Sequence, residues 1–276
     1  LRGFFYWNTE RRYLLNFETF NFHPSVAAGV AAAGYETPTP IQARAIPQVF
    51  SGRDVMGLAQ TGTGKTAAFV LPILNRLIGT QYGRVRALII APTRELAEQI
   101  HQDIENLGRK TRIRSVTVYG GVGINPQIQK LKHSDIVVAC PGRLLDHIGR
   151  HSIDLSQLEV LVIDEADQMF DMGFMPDIRR ILKHLPTKRQ TLLFSASLSP
   201  EIERVTREFQ HAPKIVQIGR RANPAETVTQ LVYEVPRHLK PALLVHLLSD
   251  PKMDMVLVFS RMKHSADRVA RNLENK

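Results

Sequence analysis

The chain has 276 residues, 43% of them hydrophobic, enough for one large domain or two small ones around a buried core. No apolar run is long enough to span a bilayer, and a single cysteine, Cys140, rules out a disulfide within the chain and points to the cytoplasm. The net charge of +10 implies a polyanionic partner; an anionic membrane surface is the rival, but no basic amphipathic segment or lipidation signal supports it.

Residues 1–16 match no pattern, and the cluster Phe4-Phe5-Tyr6-Trp7 is too short for a signal peptide, so a poorly ordered extension is expected there. The first strong signal is Asp54-Val55-Met56-Gly57-Leu58, then Ala59-Gln60-Thr61-Gly62-Thr63-Gly64-Lys65-Thr66, then the apolar Ala67-Ala68-Phe69-Val70-Leu71. Strand, glycine loop and helix in that order bring backbone N–H groups and a helix N-terminus to nucleotide phosphates. Thr61, Gly62, Thr63 and Gly64 form the cradle, Lys65 reaches the β- and γ-phosphates, and the Thr66 hydroxyl takes Mg²⁺. Ala59 stands where the strict pattern has glycine; only Gly62 and Gly64 must let the backbone curl. The alternative is a surface loop that happens to hold Gly, Thr and Lys.

Further strand-like runs follow at 86–91, 116–119, 136–139, 159–163, 191–194 and 215–218, with helical patterns such as 93–107 and 200–209 between them. The alternation predicts an α/β fold with a doubly wound parallel sheet. The run at 159–163 ends in Asp164-Glu165-Ala166-Asp167, carboxylates at the strand end where such sheets place ligands. Asp164 is expected to hold Mg²⁺ and Glu165 to take a proton from, or orient, the attacking water. Taken alone, four such residues are a solvated turn.

Asp164-Glu165-Ala166-Asp167 resembles the namesake motif of the DEAD-box ATP-dependent RNA helicases, and other segments agree in order. Gly34-Tyr35-Glu36-Thr37-Pro38-Thr39-Pro40-Ile41-Gln42 resembles the family's Q motif, with Phe17 as its upstream aromatic. Pro92-Thr93-Arg94-Glu95-Leu96-Ala97, Gly120-Gly121, Cys140-Pro141-Gly142-Arg143 and Ser195-Ala196-Ser197 continue the series. The wording is similar to the bacterial RhlE-like branch. The resemblance implies a RecA-like P-loop NTPase lobe over 17–219, a linker at 220–227, and over 228–276 the start of a second RecA-like lobe opened by Met255–Ser260. It further implies that the family's arginine-rich second-lobe motif is not represented here.

The resemblance assigns ATP and Mg²⁺ as cofactors. Gln42 would read the adenine edge, with a buried helix-capping glutamine as the alternative; Tyr35 and Phe17 either stack on the base or pack in the core. Pro92, Thr93, Arg94, Gly120, Gly121, Pro141, Gly142 and Arg143 would contact the RNA backbone, Thr93 being equally an N-cap. Asp167, Ser195 and Ser197 would couple the ATP and RNA sides. His133, His147, His151 and His184 are expected on surfaces, without zinc spacing. The function implied is RNA remodelling driven by ATP, sequence-independent in its RNA contacts. Two alternatives stay open: a DNA-directed P-loop translocase, and an ATP- and RNA-binding fragment with little turnover.

Overall fold

The computed structural model describes residues 16–79, 82–218, 229, 231–251 and 253–274. The extension expected at 1–16 lies, apart from Asn16, outside the described residues, as does the whole linker at 220–227. Chain contacts divide near residue 222 into two compact units.

The first unit is built on seven parallel strands. They are β1 (Val55–Leu58), β2 (Ala87–Ile90), β3 (Ser115–Val118), β4 (Ile136–Ala139), β5 (Val160–Ile163), β6 (Gln190–Ser195) and β7 (Lys214–Gln217), in the order β3-β4-β2-β5-β6-β1-β7. Most are four-residue apolar runs buried at every position, the composition a parallel strand needs when helices cover both faces. Alternate residues feed opposite layers. Ala87, Ile89, Val160 and Val162 enter one core with α1 (Pro24–Ala32), α2 (Pro40–Phe50), α3 (Lys65–Leu77) and α4 (Arg94–Gly108). Leu88, Ile90, Leu161 and Ile163 enter the other, with residues from α5 (Ile124–Leu131), α6 (Pro141–Gly149), α7 (Ala166–Asp171), α8 (Met175–Leu182) and α9 (Pro200–Phe209). The sheet is therefore doubly wound, as the alternation predicts.

Buried polar side chains pin the sheet's N-terminal edge. Asp54 accepts from the amides of Thr191 at 2.7 Å and His211 at 2.6 Å, and the Gln210 amide donates to the carbonyls of Val55 and Thr191. Gly57 in β1 is needed for space: a Cβ there would run into the buried ring of Phe194 on β6.

Parallel strands put all their C-terminal ends on one edge. The loops after β1, β2, β3, β4, β5 and β6 carry, respectively, the glycine loop, Pro92-Thr93, Tyr119–Gly121, Cys140–Arg143, Asp164–Asp167 and Ser195–Ser197. Segments as far apart in sequence as Ala59 and Ser197 thus converge because the topology is parallel.

The second unit contains α10 (Lys240–Leu248) and α11 (Lys263–Glu274) among its described residues. The apolar runs 232–235 and 255–260 form no strand, and Val232, Met255 and Phe259 are exposed. An extended run becomes a strand only where a neighbour completes its ladder, and none is described for these runs.

Candidate functional site

The glycine loop leaves β1 and enters α3 through two residues in left-handed conformation, Gly62 at φ 81° and Gly64 at φ 88°. Gly64 is constrained twice, since a Cβ there would also lie 2.5 Å from Gln42 Nε2. Gln42 is buried on α2. Its Oε1 accepts from the Thr39 amide at 2.8 Å and its Nε2 donates to the Gly64 carbonyl at 3.1 Å. The capping alternative is thus present in the fold, and it ties the Pro-rich segment to the glycine loop, a link not anticipated from sequence. One lone pair on Oε1 and one N–H remain for a ligand. Thr63 folds back to donate to the Gln60 carbonyl at 2.7 Å.

Lys65 begins α3. Its side chain is only 6% exposed, yet Nζ has no hydrogen-bond partner. A buried ammonium without a partner is costly, and the arrangement suits a polyphosphate. Asp164, at the end of β5, is 2% exposed and accepts from the Glu165 amide at 3.0 Å. Burial pushes its carboxyl up from 3.8 to about 6, the Lys65 ammonium pulls it back, and the Glu165 charge adds to the rise. A buried ammonium and a buried carboxyl near one another, neither fully satisfied, with the half-buried Thr66 next to Lys65, fit a bound phosphate and divalent cation. Glu165 itself sits at φ 51°, a region non-glycine residues rarely occupy and one found at functional sites. Its Oε1 accepts from Thr61 Oγ1 at 3.3 Å, joining the carboxylate to the glycine loop.

Asp167 reaches the loop after β6. Its Oδ2 accepts from the amides of Ala196 and Ser197, each at 3.1 Å, and from Ser197 Oγ at 3.3 Å. Ser195 is fully buried; its hydroxyl donates to the Ser197 carbonyl and its carbonyl accepts from the Ala59 amide. The three residues expected to couple the two sides are therefore brought together.

Phe17 lies in the core, its ring edge-on to Tyr35 at 5.7 Å and to Phe20 at 5.9 Å. Phe17 is buried in this packing and Tyr35 is half-buried.

On the other side of the edge, Thr93 caps α4 by accepting from the Leu96 amide, and Pro92 is buried behind it. Arg94 is exposed and lies 4.8 Å over the Tyr119 ring, whose hydroxyl donates to Glu98. Tyr119 positions Arg94 but was read from sequence only as a strand residue; an aromatic directly before Gly120-Gly121 was the available signal. Gly120 and Gly121 are exposed, Gly121 at φ 82°. Gly142 is exposed and Pro141 buried at the head of α6. Arg143 is tied to the protein: its NH1 donates to the Val122 carbonyl at 3.0 Å, its Nε lies 3.5 Å from Asp146, and its side chain is 14% exposed. A long side chain at the third position of α6 folds back onto the loop after β3.

His147 is a correction. It was expected on a surface and is wholly buried, because it lies on the inward face of α6 with polar partners supplied by Gln127 and Ser152. Cys140 is half-buried and burial pushes its thiol up to about 11, which leaves it a weak nucleophile. No group of three or more His, Cys, Asp or Glu side chains placed to hold a metal occurs among the described residues, and no described helix is long and apolar enough to cross a membrane.

Comparison with known proteins identifies the family. The DEAD/DEAH box helicase family model matches residues 39–205. The ATP-dependent RNA helicase CshA of Limosilactobacillus reuteri is 42% identical over 260 residues, 94% of this chain and 52% of that protein. The corresponding protein of Geobacillus kaustophilus is 39% identical, over 94% of this chain and 56% of its own length. A crystal structure of a DEAD box protein from Methanococcus jannaschii superposes with a TM-score of 0.71 at 32% identity, covering 94% of this chain and 70% of that one. The chain spans about half the length of the curated relatives it matches, and these carry the name CshA, not the RhlE name suggested by the motif wording. With a family model matched over more than half its length, and the motif residues gathered at one edge of the sheet, this chain belongs to the DEAD/DEAH box helicase family.

Proposed function

We propose that the first unit is the ATP-binding lobe of an ATP-dependent RNA remodelling enzyme. The observation that carries the reading is Lys65, a buried ammonium with no hydrogen-bond partner at the head of α3. Thr61, Gly62, Thr63 and Gly64 line the phosphates, and Thr66 and Asp164 hold Mg²⁺. When bound, that ion neutralises phosphate charge. Glu165, steadied by Thr61, takes the proton of the attacking water or orients it. Gln42 offers its remaining N–H and lone pair to adenine, with Tyr35 and Phe17 behind the base. Pro92, Thr93, Arg94, Gly120, Gly121, Pro141 and Gly142 face the RNA backbone, with Arg143 shaping their edge. Such contacts tolerate any sequence and weaken with salt. Asp167, Ser195 and Ser197 link this face to the ATP side.

Residues 228–276 open the second RecA-like lobe in this reading, and in the family that lobe supplies arginines to the ATP site. The relatives' names favour a CshA-like placement, and the single cysteine suits the cytoplasm. The test is titration of a fluorescent ATP analogue with Mg²⁺. Lys65→Ala is expected to abolish binding and Glu165→Gln to retain it. With both lobes present, Glu165→Gln lowers hydrolysis by about 10²–10⁴-fold. Lys65→Ala binding as tightly as wild type refutes the nucleotide site. Stimulation of turnover by DNA and not by RNA selects the translocase alternative.

A further inference from the structure

The loop 119–123 carries the glycine pair, and three of its five carbonyls are held by side chains. Gln127 Nε2 donates to the Tyr119 carbonyl at 3.1 Å and to the Gly123 carbonyl at 3.4 Å, while Arg143 donates to the Val122 carbonyl. Gln127, on α5, is 6% exposed, and both its N–H groups are used. Its Oε1 therefore faces His147 Nε2 on α6 at 3.3 Å as an acceptor, so the ring must donate there. The Ser152 hydroxyl lies 2.8 Å from His147 Nδ1 and 3.1 Å from the His147 carbonyl, with one hydrogen for the two acceptors. With that hydrogen on Nδ1, a neutral ring protonated at Nε2 is satisfied at both of its nitrogens. Burial and then the Arg143 charge hold His147 below its ordinary value, in keeping with a neutral ring. Among the described residues, no acceptor takes the amide hydrogens of Gly120, Gly121 or Val122.

We propose that Ser152, His147 and Gln127 form a buried relay of hydrogen bonds that, with Arg143, turns the carbonyls of Tyr119, Val122 and Gly123 toward the protein and leaves the amides of Gly120, Gly121 and Val122 to RNA phosphate. Gln127 and His147 are positioning residues: they touch the loop, not the ligand. Carbonyl oxygens repel phosphate and amides attract it, so which set the loop presents decides whether it binds an anion at all. Arg94, stacked on Tyr119, is held by the same loop's first residue and borders the same surface. The inference rests on the proposed RNA-binding reading.

The experiment compares the full chain with Gln127→Glu, His147→Leu and His147→Gln. A labelled single-stranded oligouridine reports RNA affinity by anisotropy, and a fluorescent ATP analogue reports the nucleotide site. Gln127→Glu sets a carboxylate against two carbonyls, and His147→Leu removes the donor to Gln127. Both are expected to weaken RNA binding about tenfold or more while nucleotide affinity stays within about twofold. His147→Gln restores a donor and should bind RNA close to wild type. If the wild type binds RNA and both disruptive variants bind it equally well, the relay is overturned while the RNA reading stands. If the wild type binds no RNA, the RNA reading falls and the relay's role with it. Should the disruptive variants fail to fold, hydrogen exchange on the wild type decides. RNA is expected to slow exchange at Gly120, Gly121 and Val122, and unchanged exchange there overturns the inference.

Discussion

Asp164→Asn should stabilise the nucleotide-free protein near neutral pH and reverse that order when Mg²⁺ and ATP are added. The carboxyl is 2% exposed, and its value rises from 3.8 to about 6 on folding. A raised carboxylate binds protons more readily folded than unfolded, so its contribution to stability falls as pH climbs through that interval. The penalty is absent below pH 4 and complete above pH 6, and the rise corresponds to roughly 3 kcal/mol at about 1.4 kcal/mol per tenfold change in protonation. Asparagine has the same shape, can still accept from the Glu165 amide, and carries no charge to bury. Urea denaturation of both proteins at intervals from pH 4 to 8, without nucleotide, should show the variant's advantage appear between pH 4 and 6 and then level off. Repeating the series with Mg²⁺ and ATP should stabilise wild type strongly and the variant weakly, because only the charged side chain attracts the cation. Curves that superimpose at all pH values, or an advantage greatest at pH 4, would show that this carboxylate is not held under electrostatic stress.

Gln42→Ala removes the donor to the Gly64 carbonyl as well as the proposed adenine contact, so ATP affinity should fall roughly tenfold and GTP should fall less, narrowing their ratio in competition titrations; an unchanged ratio rejects adenine reading by Gln42. Asp167→Ala leaves the amides of Ala196 and Ser197 to solvent, and a loss of about 1–2 kcal/mol with faster exchange at both is expected, since their partial exposure softens the cost. Gly57→Ala forces a methyl group into the Phe194 ring and should cost about 1–3 kcal/mol in thermal or urea unfolding; a neutral effect would mean that the β1–β6 contact is looser than its geometry.

Local chemistry was legible and long-range partnership was not. Gly62, Gly64 and Lys65 announce themselves because one loop conformation needs glycine and one phosphate site needs an amine at the next helix head. The strands were readable as short apolar runs, but their order was not. Nothing within β2 says that it lies between β4 and β5, since any two such runs could pair. Gln127 and His147 were opaque for a related reason. Each is a polar residue on a helix with hydrophobic neighbours, the usual look of a solvent-facing position, and their pairing closes a gap of 20 residues. Arg143 was read as a phosphate ligand from its motif, whereas its reach back to Val122 depends on how α6 meets the loop after β3. The runs at 232–235 and 255–260 show the converse: strand composition without a described neighbour yields no strand.

The spacing within Asp164-Glu165-Ala166-Asp167 explains how one short segment serves both sides of the edge. Asp164 ends a buried strand beside Lys65, so its surroundings are set by the sheet and the glycine loop. Asp167 lies three residues on, in the first turn of α7, and reaches the loop after β6. The chain changes direction here through a residue outside the common backbone regions, Glu165 at φ 51°. Its carboxylate then meets Thr61 of the glycine loop. Glycine at 165 would adopt the turn without strain but would remove the carboxylate and loosen the direction of α7. An alanine there would keep the strained turn and lose only the chemistry. Comparing the two therefore separates geometry from proton handling. If the turn is what joins the sides, Glu165→Gly should disturb exchange at Ala196 and Ser197, whereas Glu165→Ala should leave it as in wild type. Equal effects from both would place the link in the carboxylate instead of the backbone.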